Sequence, residues 1–105
     1  MNHRSQESEG NRPHRNDVSV AGVLAEDPKL KHTASGSPLC TFTIACTCGP
    51  YTTHVRCVAH GNLGLMVAEF HKDDYIQVVG HLKTRIHGRV HKKYAIEVVI
   101  SELGD

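Results

Sequence analysis

Apolar and polar side chains alternate over most of the chain beyond its first sixteen residues. The segments 18–24 (VSVAGVL), 39–46 (LCTFTIAC) and 52–60 (TTHVRCVAH) show this alternation, and β-branched residues are frequent in them. A period of two residues is typical of strands that bury one face. We therefore predict three strands here, the first two separated by the turn-rich segment 26–38.

The third of these strands has one apolar and one polar face. Its alternation puts Val55, Cys57 and Ala59 on the face expected to be buried. The opposite face carries the remaining side chains: His54, Arg56, Val58 and His60.

The pattern then changes to the spacing of a helix. In the segment 61–74 (GNLGLMVAEFHKDD), Leu63, Val67 and Phe70 recur at intervals of four and three residues. Such intervals place apolar side chains on one face of a helix. We predict one short helix in this segment.

Two longer alternating segments follow, 75–87 and 92–103, and the GRVHK sequence joins them as a hairpin. Tyr75 and Tyr94 fall in phase with apolar positions, so both are predicted to be buried. Three strands, a helix and two strands are the element order of an OB fold. The predicted fold class is all-β: a five-stranded OB-fold barrel with one short helix between strands three and four.

Length and composition indicate a single small domain. A chain of 105 residues supports one hydrophobic core. Residues 1–16 are polar, so we predict a disordered arm there and a folded domain over residues 17–105. No apolar run approaches the roughly 18 residues of a membrane span, and the start has no apolar signal region. We expect a cytoplasmic protein with reduced cysteines.

Positive charge is concentrated in one segment, although the net charge is only +1. Residues 80–93 (GHLKTRIHGRVHKK) hold five cations and three histidines and no acid. Single-stranded nucleic acids are held by cations that follow the phosphates and by flat side chains beneath the bases. Lysines also protect sheet edges from aggregation. We favour a binding surface, because protection of an edge does not require an acid-free segment.

The fourth strand presents this charge on one face. Its alternation turns Ile76, Val78, Leu82 and Ile86 inward. The outward side chains are Gln77, Val79, His81, Lys83, Arg85 and His87. We expect this face and the polar face of the third strand to form one wall of a groove.

Four stretches resemble, in the same order, the bacterial single-stranded DNA-binding protein (SSB) family. They are NDVSVAGVLAEDPKLKHTASGSPLCTFTIA, HVRCVAHGNLGLMVAEF, DDYIQVVGHLKTR and YAIEVVISEL, which together span nearly the whole predicted domain. The resemblance implies an OB fold that binds single-stranded DNA with little sequence preference, without catalysis and as a homo-oligomer, either a dimer or a tetramer. It also implies a role in DNA replication, recombination or plasmid and mobile-element maintenance, with replication proteins as further partners.

The sequence departs from that family in two respects. Members usually carry Trp or Phe at base-stacking positions, where this chain has His54, His60 and His87, and it contains no Trp. The sequence also stops at Asp105 without a long tail and acidic tip. In this it resembles the short, tail-less forms such as primosomal replication protein N and some plasmid or phage versions.

The candidate site combines cations for the phosphates with imidazoles for the bases. Histidine stacks over less area than Trp, but it titrates near pH 6.5 in general, so we predict tighter binding at about pH 6 than at pH 8. The candidate nucleic-acid-binding residues are His54, Arg56, His60, His81, Lys83, Arg85, His87, Arg89, His91, Lys92 and Lys93.

Three alternatives are open. A zinc site is suggested by Cys46 and Cys48, with His54, Cys57 and His60 close behind, but structural zinc usually uses Cys-x-x-Cys pairs. An enzyme would need a nucleophile beside a base, whereas Cys57 and its neighbours His54 and His60 point to opposite faces. An OB-fold module that binds RNA or a protein also fits. We expect no catalytic residue, no metal and no cofactor.

Overall fold

The computed structural model describes residues 11–104, which form a mainly β structure. Most of the predicted arm, residues 1–16, therefore lies outside the described residues. The elements are β1 (Val18–Leu24), β2 (Lys29–His32), β3 (Pro38–Cys48), β4 (Tyr51–His60), α1 (Gly61–Val67), β5 (Tyr75–His87) and β6 (Lys93–Leu103).

The five long strands close into a barrel. They pair in the order β1–β5–β6–β4–β3, and a short contact of β1 with β3, including Leu24 opposite Ile44, closes the ring. The pairings are antiparallel except for a short parallel one between β4 and β6, where Cys57 lies beside Val98. This closed sheet, with one helix between β4 and β5, confirms the predicted all-β, OB-fold-like architecture.

The inward-facing side chains of the strands fill the barrel, as their alternation predicts. The helix α1 covers one end of the barrel and contributes Val67 to the core. The core consists of Leu24, Cys40, Phe42, Ile44, Cys57, Ala59, Val67, Ile76, Val78, Val98 and Ile100.

Within the described residues, the structure has one more strand than the sequence predicted. This additional strand, β2, lies in the segment 26–38, for which the sequence predicted only turns. Lys29–His32 pairs with the edge of β3, with Leu30 opposite Cys40. All four residues of β2 are exposed, so the segment has no buried face to mark it in the sequence. Pairing with the backbone of β3, rather than burial of apolar side chains, accounts for this strand.

The helix is shorter than the predicted segment 61–74. It ends at Val67, and the chain then turns so that the amide of Asp73 donates to the carbonyl of Leu24 at 2.9 Å. The Asp74 carboxylate accepts a 2.7 Å hydrogen bond from the amide of His71. The first contact ties the turn to β1 and the second stabilises the turn itself, which explains why the helix does not continue.

β5 and β6 extend beyond the barrel as a two-stranded ribbon, residues 82–98. β1 pairs with β5 only as far as Gly80, and the Asn16 side chain then makes two hydrogen bonds to the Leu82 backbone, of 2.8 and 2.9 Å. Leu82 and Ile86, predicted to turn inward with the core, are 43% and 57% exposed. Their faces follow the alternation, but this part of the ribbon has no opposite barrel wall to cover them.

The predicted burial of two tyrosines was wrong. Tyr75 and Tyr94 are both exposed. Tyr94 lies opposite Ile86 on the ribbon, and Tyr75 is out of phase with the buried Ile76 and Val78 of β5, so neither reaches the packed interior.

Candidate nucleic-acid interface

Three adjoining strands, β4, β6 and β5, carry most of the candidate residues on their outward face. The sequence predicted that β4 and β5 form one wall, but β6 lies between them. The parallel pairing of Cys57 with Val98 sets Arg56 beside Glu97, and Glu97 is opposite Lys83 on β5. The three charged residues therefore form one row across the sheet.

The cations of β5 and of the hairpin are exposed. Arg85 lies opposite Ala95, and Lys93 begins β6 opposite His87. Arg89 and Lys92 belong to the connection between the two strands. The cationic outward face of the barrel therefore continues along the same side of the ribbon.

The candidate histidines are spread over the same surface rather than clustered. His54 and His60 lie on β4 with Arg56 between them, about 20 Å apart at the usual rise of a strand. His81 and His87 are spaced in the same way on β5, and His91 lies in the loop. All five are exposed.

One residue of the polar face behaves differently. Val58 lies on the outward side of β4 but is only 5% exposed. Its neighbours across the sheet are Thr41 on β3 and Val99 on β6. A buried, uncharged side chain therefore separates Arg56 from His60 on this face.

Glu97 is the site residue that sequence reasoning missed. Its carboxylate oxygen Oε1 lies 3.8 Å from Nε of Arg56 and 3.8 Å from Nε of Arg85. Its phase in β6, shared with Lys93 and Val99, indicates an outward side chain. Its position between the two arginines follows only from the order of the strands.

The surface extends past Arg56 onto β3. A shallow depression there is lined by Thr41 and Thr43 together with the β1–β2 connection. The acids of that connection have partners: Glu26 is 3.6 Å from the Lys29 amine, and Asp27 accepts a 2.8 Å hydrogen bond from the amide of Lys72. OB folds bind ligands over the strands equivalent to β3 and β4, so this depression adjoins the expected binding face.

The four cysteines differ in burial: Cys40 and Cys57 are buried, whereas Cys46 is half-buried and Cys48 is exposed. Burial raises the pKa of Cys57 to about 12, with the nearby Glu97 carboxylate as a smaller cause, and burial also raises the pKa of Cys40. Zinc binds the thiolate, which such burial disfavours. Across residues 11–104, no three His, Cys, Asp or Glu side chains are grouped as metal ligands.

Within the same residues, no helix has both the length and the apolar character needed to cross a membrane.

A closed OB-like barrel with a cationic outward face belongs to the class of oligonucleotide-binding domains. Residues 15–104 match the single-strand binding protein family, and the chain belongs to that family. No curated protein matches the chain. The match confirms the resemblance and indicates single-stranded DNA binding in general, in a family of non-catalytic DNA-binding proteins.

Proposed function

We propose that the chain binds single-stranded DNA with little sequence preference and catalyses no reaction. The observation that carries the proposal is the shared outward face of β4, β6 and β5, on which Arg56 of β4 lies across β6 from Lys83 and Arg85 of β5. Such a surface follows a phosphate backbone without reading base edges.

The residues divide into two roles. Cations contact phosphates, and three imidazoles contact bases. His81 and His91 are further nucleic-acid contacts on the same surface. The phosphate contacts are Arg56, Lys83, Arg85, Arg89, Lys92 and Lys93, and the base contacts are His54, His60 and His87.

Fluorescence anisotropy with a labelled dT oligomer of roughly 35 nucleotides tests this function. If about three to five phosphates are neutralised, log K falls with log salt at a slope of about −2 to −3.5. Unlabelled duplex and RNA of matched length serve as competitors. Binding no tighter than that of duplex, or a salt-independent affinity, would contradict the proposal.

Binding is expected to tighten between pH 8 and pH 6. Imidazoles gain positive charge over this range and add attraction to phosphates. The measurement is the same titration at both pH values, with a variant that replaces His54, His60 and His87 by Gln as the control. Equal affinities at the two pH values would contradict the role of the histidines, and the control should lose most of the dependence.

We also propose that the chain is a homo-oligomer. The ribbon has an exposed apolar face formed by the cross-strand pair of Ile86 and Tyr94 together with Leu82 and Ile96. A two-stranded ribbon is only marginally stable alone, and exposed apolar patches usually mark interfaces. A second copy of the chain is the proposed cover.

An Ile86→Glu variant is expected to shift the oligomer towards monomer, because it places a charge in the covered patch. Analytical ultracentrifugation of wild type and variant gives the masses. Val90→Glu, in the loop between the strands, is the control and should leave the mass unchanged. A monomeric wild type, or a variant with the wild-type mass, would contradict the proposed interface.

The proposed setting is the cytoplasm, where the chain coats or docks single strands during DNA replication, recombination or plasmid and mobile-element maintenance. Replication proteins are the proposed partners. Membership of the single-strand binding family supports this setting.

A further inference from the structure

We propose that Glu97 sets how the interface uses two of its arginines: it lowers the charge that they present to phosphates and keeps their guanidinium groups as flat surfaces that also contact bases. This inference rests on the proposed function. It concerns a positioning residue that acts through Arg56 and Arg85.

The geometry places one carboxylate between two strands. A single oxygen of Glu97, on β6, lies 3.8 Å from Nε of Arg56 on β4 and from Nε of Arg85 on β5. Nε is the nitrogen nearest the aliphatic stem, so a contact through it leaves the terminal Nη groups further out. At 3.8 Å each contact is an ion pair rather than a hydrogen bond, so it restricts where the guanidinium group lies and leaves it partly exposed.

Burial indicates that the carboxylate is a fixed part of the surface. The Glu97 side chain is 14% exposed, compared with 42% for Arg56 and 44% for Arg85. A partly buried anion interacts with its neighbours through a lower effective dielectric than an exposed one. The three groups together contribute a charge of +1 rather than +2.

Counting the cations alone therefore overstates the positive charge that this surface presents to phosphates. Lys83 lies opposite Glu97 in the register, yet the described ion pairs of Glu97 are those with the two arginines. Lys83 thus remains a compact cation available to phosphate, whereas Arg56 and Arg85 are partly neutralised.

A guanidinium group whose position is restricted by the ion pair with Glu97 is suited to stacking on a base. Guanidinium is planar, is weakly hydrated and stacks on nucleobases. Fixing it beforehand reduces the entropy lost on binding. The chain has no Trp, so these two arginines, two residues from His54 and from His87 respectively, would supply additional flat area.

The test compares wild type with Glu97→Gln, which keeps the side-chain shape and removes the charge. With two arginines released to phosphates, the slope of log K against log salt should steepen by about 0.7 to 1.4, at about 0.7 per phosphate on single strands. Affinity at low salt should also rise. The same anisotropy titration, at four or more salt concentrations, gives both values.

Arg85→Lys is the second variant, and it keeps the net charge of the chain unchanged. Loss of the planar group should weaken binding about fivefold or more at every salt concentration, with an unchanged slope. This variant tests the stacking role even if Glu97→Gln fails to fold, which circular dichroism would reveal.

The outcomes separate the two proposals. A wild type that does not bind single strands overturns the proposed function and this inference with it. A wild type that binds, with the wild-type slope in folded Glu97→Gln or wild-type affinity in Arg85→Lys, overturns only the inference.

Discussion

Reversing the charges of Lys83 and Arg85 together is expected to weaken single-stranded DNA binding by about one to two orders of magnitude at moderate salt. Both side chains are exposed on the outward face of β5, two residues apart. Each reversal removes a cation that would release counterions from the strand and adds an anion that repels it. The salt slope should become shallower in the same variant, because fewer phosphates are neutralised.

The effect must be separated from that of net charge. A variant with Lys31→Glu and Lys72→Glu has the same net charge, but Lys31 is on the edge strand β2 and Lys72 is in the turn after α1. Anisotropy titrations of both variants under one buffer condition provide the comparison. Equal losses of affinity would show that overall charge governs binding and would remove the support for a specific face.

The strands and their faces were predictable because they depend on local periodicity. The alternation in β3 determines that Phe42 and Ile44 point inward, and the structure buries both. The helix was predicted from the spacing of Leu63 and Val67. Its end was not predicted, since the turn that stops it depends on a backbone contact with Leu24 on a distant strand.

The arrangement of the candidate site was less predictable, because it depends on which strands become neighbours. Arg56 and Arg85 were assigned to one wall from their outward phases, but nothing in either strand reveals that β6 passes between them. Glu97 is 41 residues from Arg56 and 12 from Arg85 in the sequence. Its role in the charge of the surface emerges only when the parallel contact between β4 and β6 is formed.

Alternation also does not reveal how far a barrel wall extends. Leu82 has the phase of Val78, yet Val78 is buried and Leu82 is exposed. The difference is the partner strand: β1 covers β5 up to Gly80 and then ends. A sequence pattern specifies the face of a residue, whereas cover on that face comes from another part of the chain or from another molecule.

Replacing Gly80 by Ala is expected to destabilise the fold by about 3 kcal/mol, a large share of the usual 5–15 kcal/mol for a domain. Gly80 is buried opposite Ile100, at an irregularity in the β5–β6 pairing. A methyl group there would collide with the Val99 carbonyl oxygen and lie 2.7 Å from the Ile100 Cα. Both neighbours are backbone atoms of a paired strand, so they cannot move aside as a flexible side chain would.

Urea denaturation followed by circular dichroism measures the loss, and Gly36→Ala is the control. Gly36 has φ of +90° and no atom within 4 Å of an added Cβ, so its replacement brings backbone strain without a collision. We expect a cost of about 1 kcal/mol there. Equal costs at the two sites would show that β6 can shift at Gly80. Because β5 passes from the barrel into the ribbon at this residue, such a shift would also change the positions of Lys83 and Arg85 relative to Arg56.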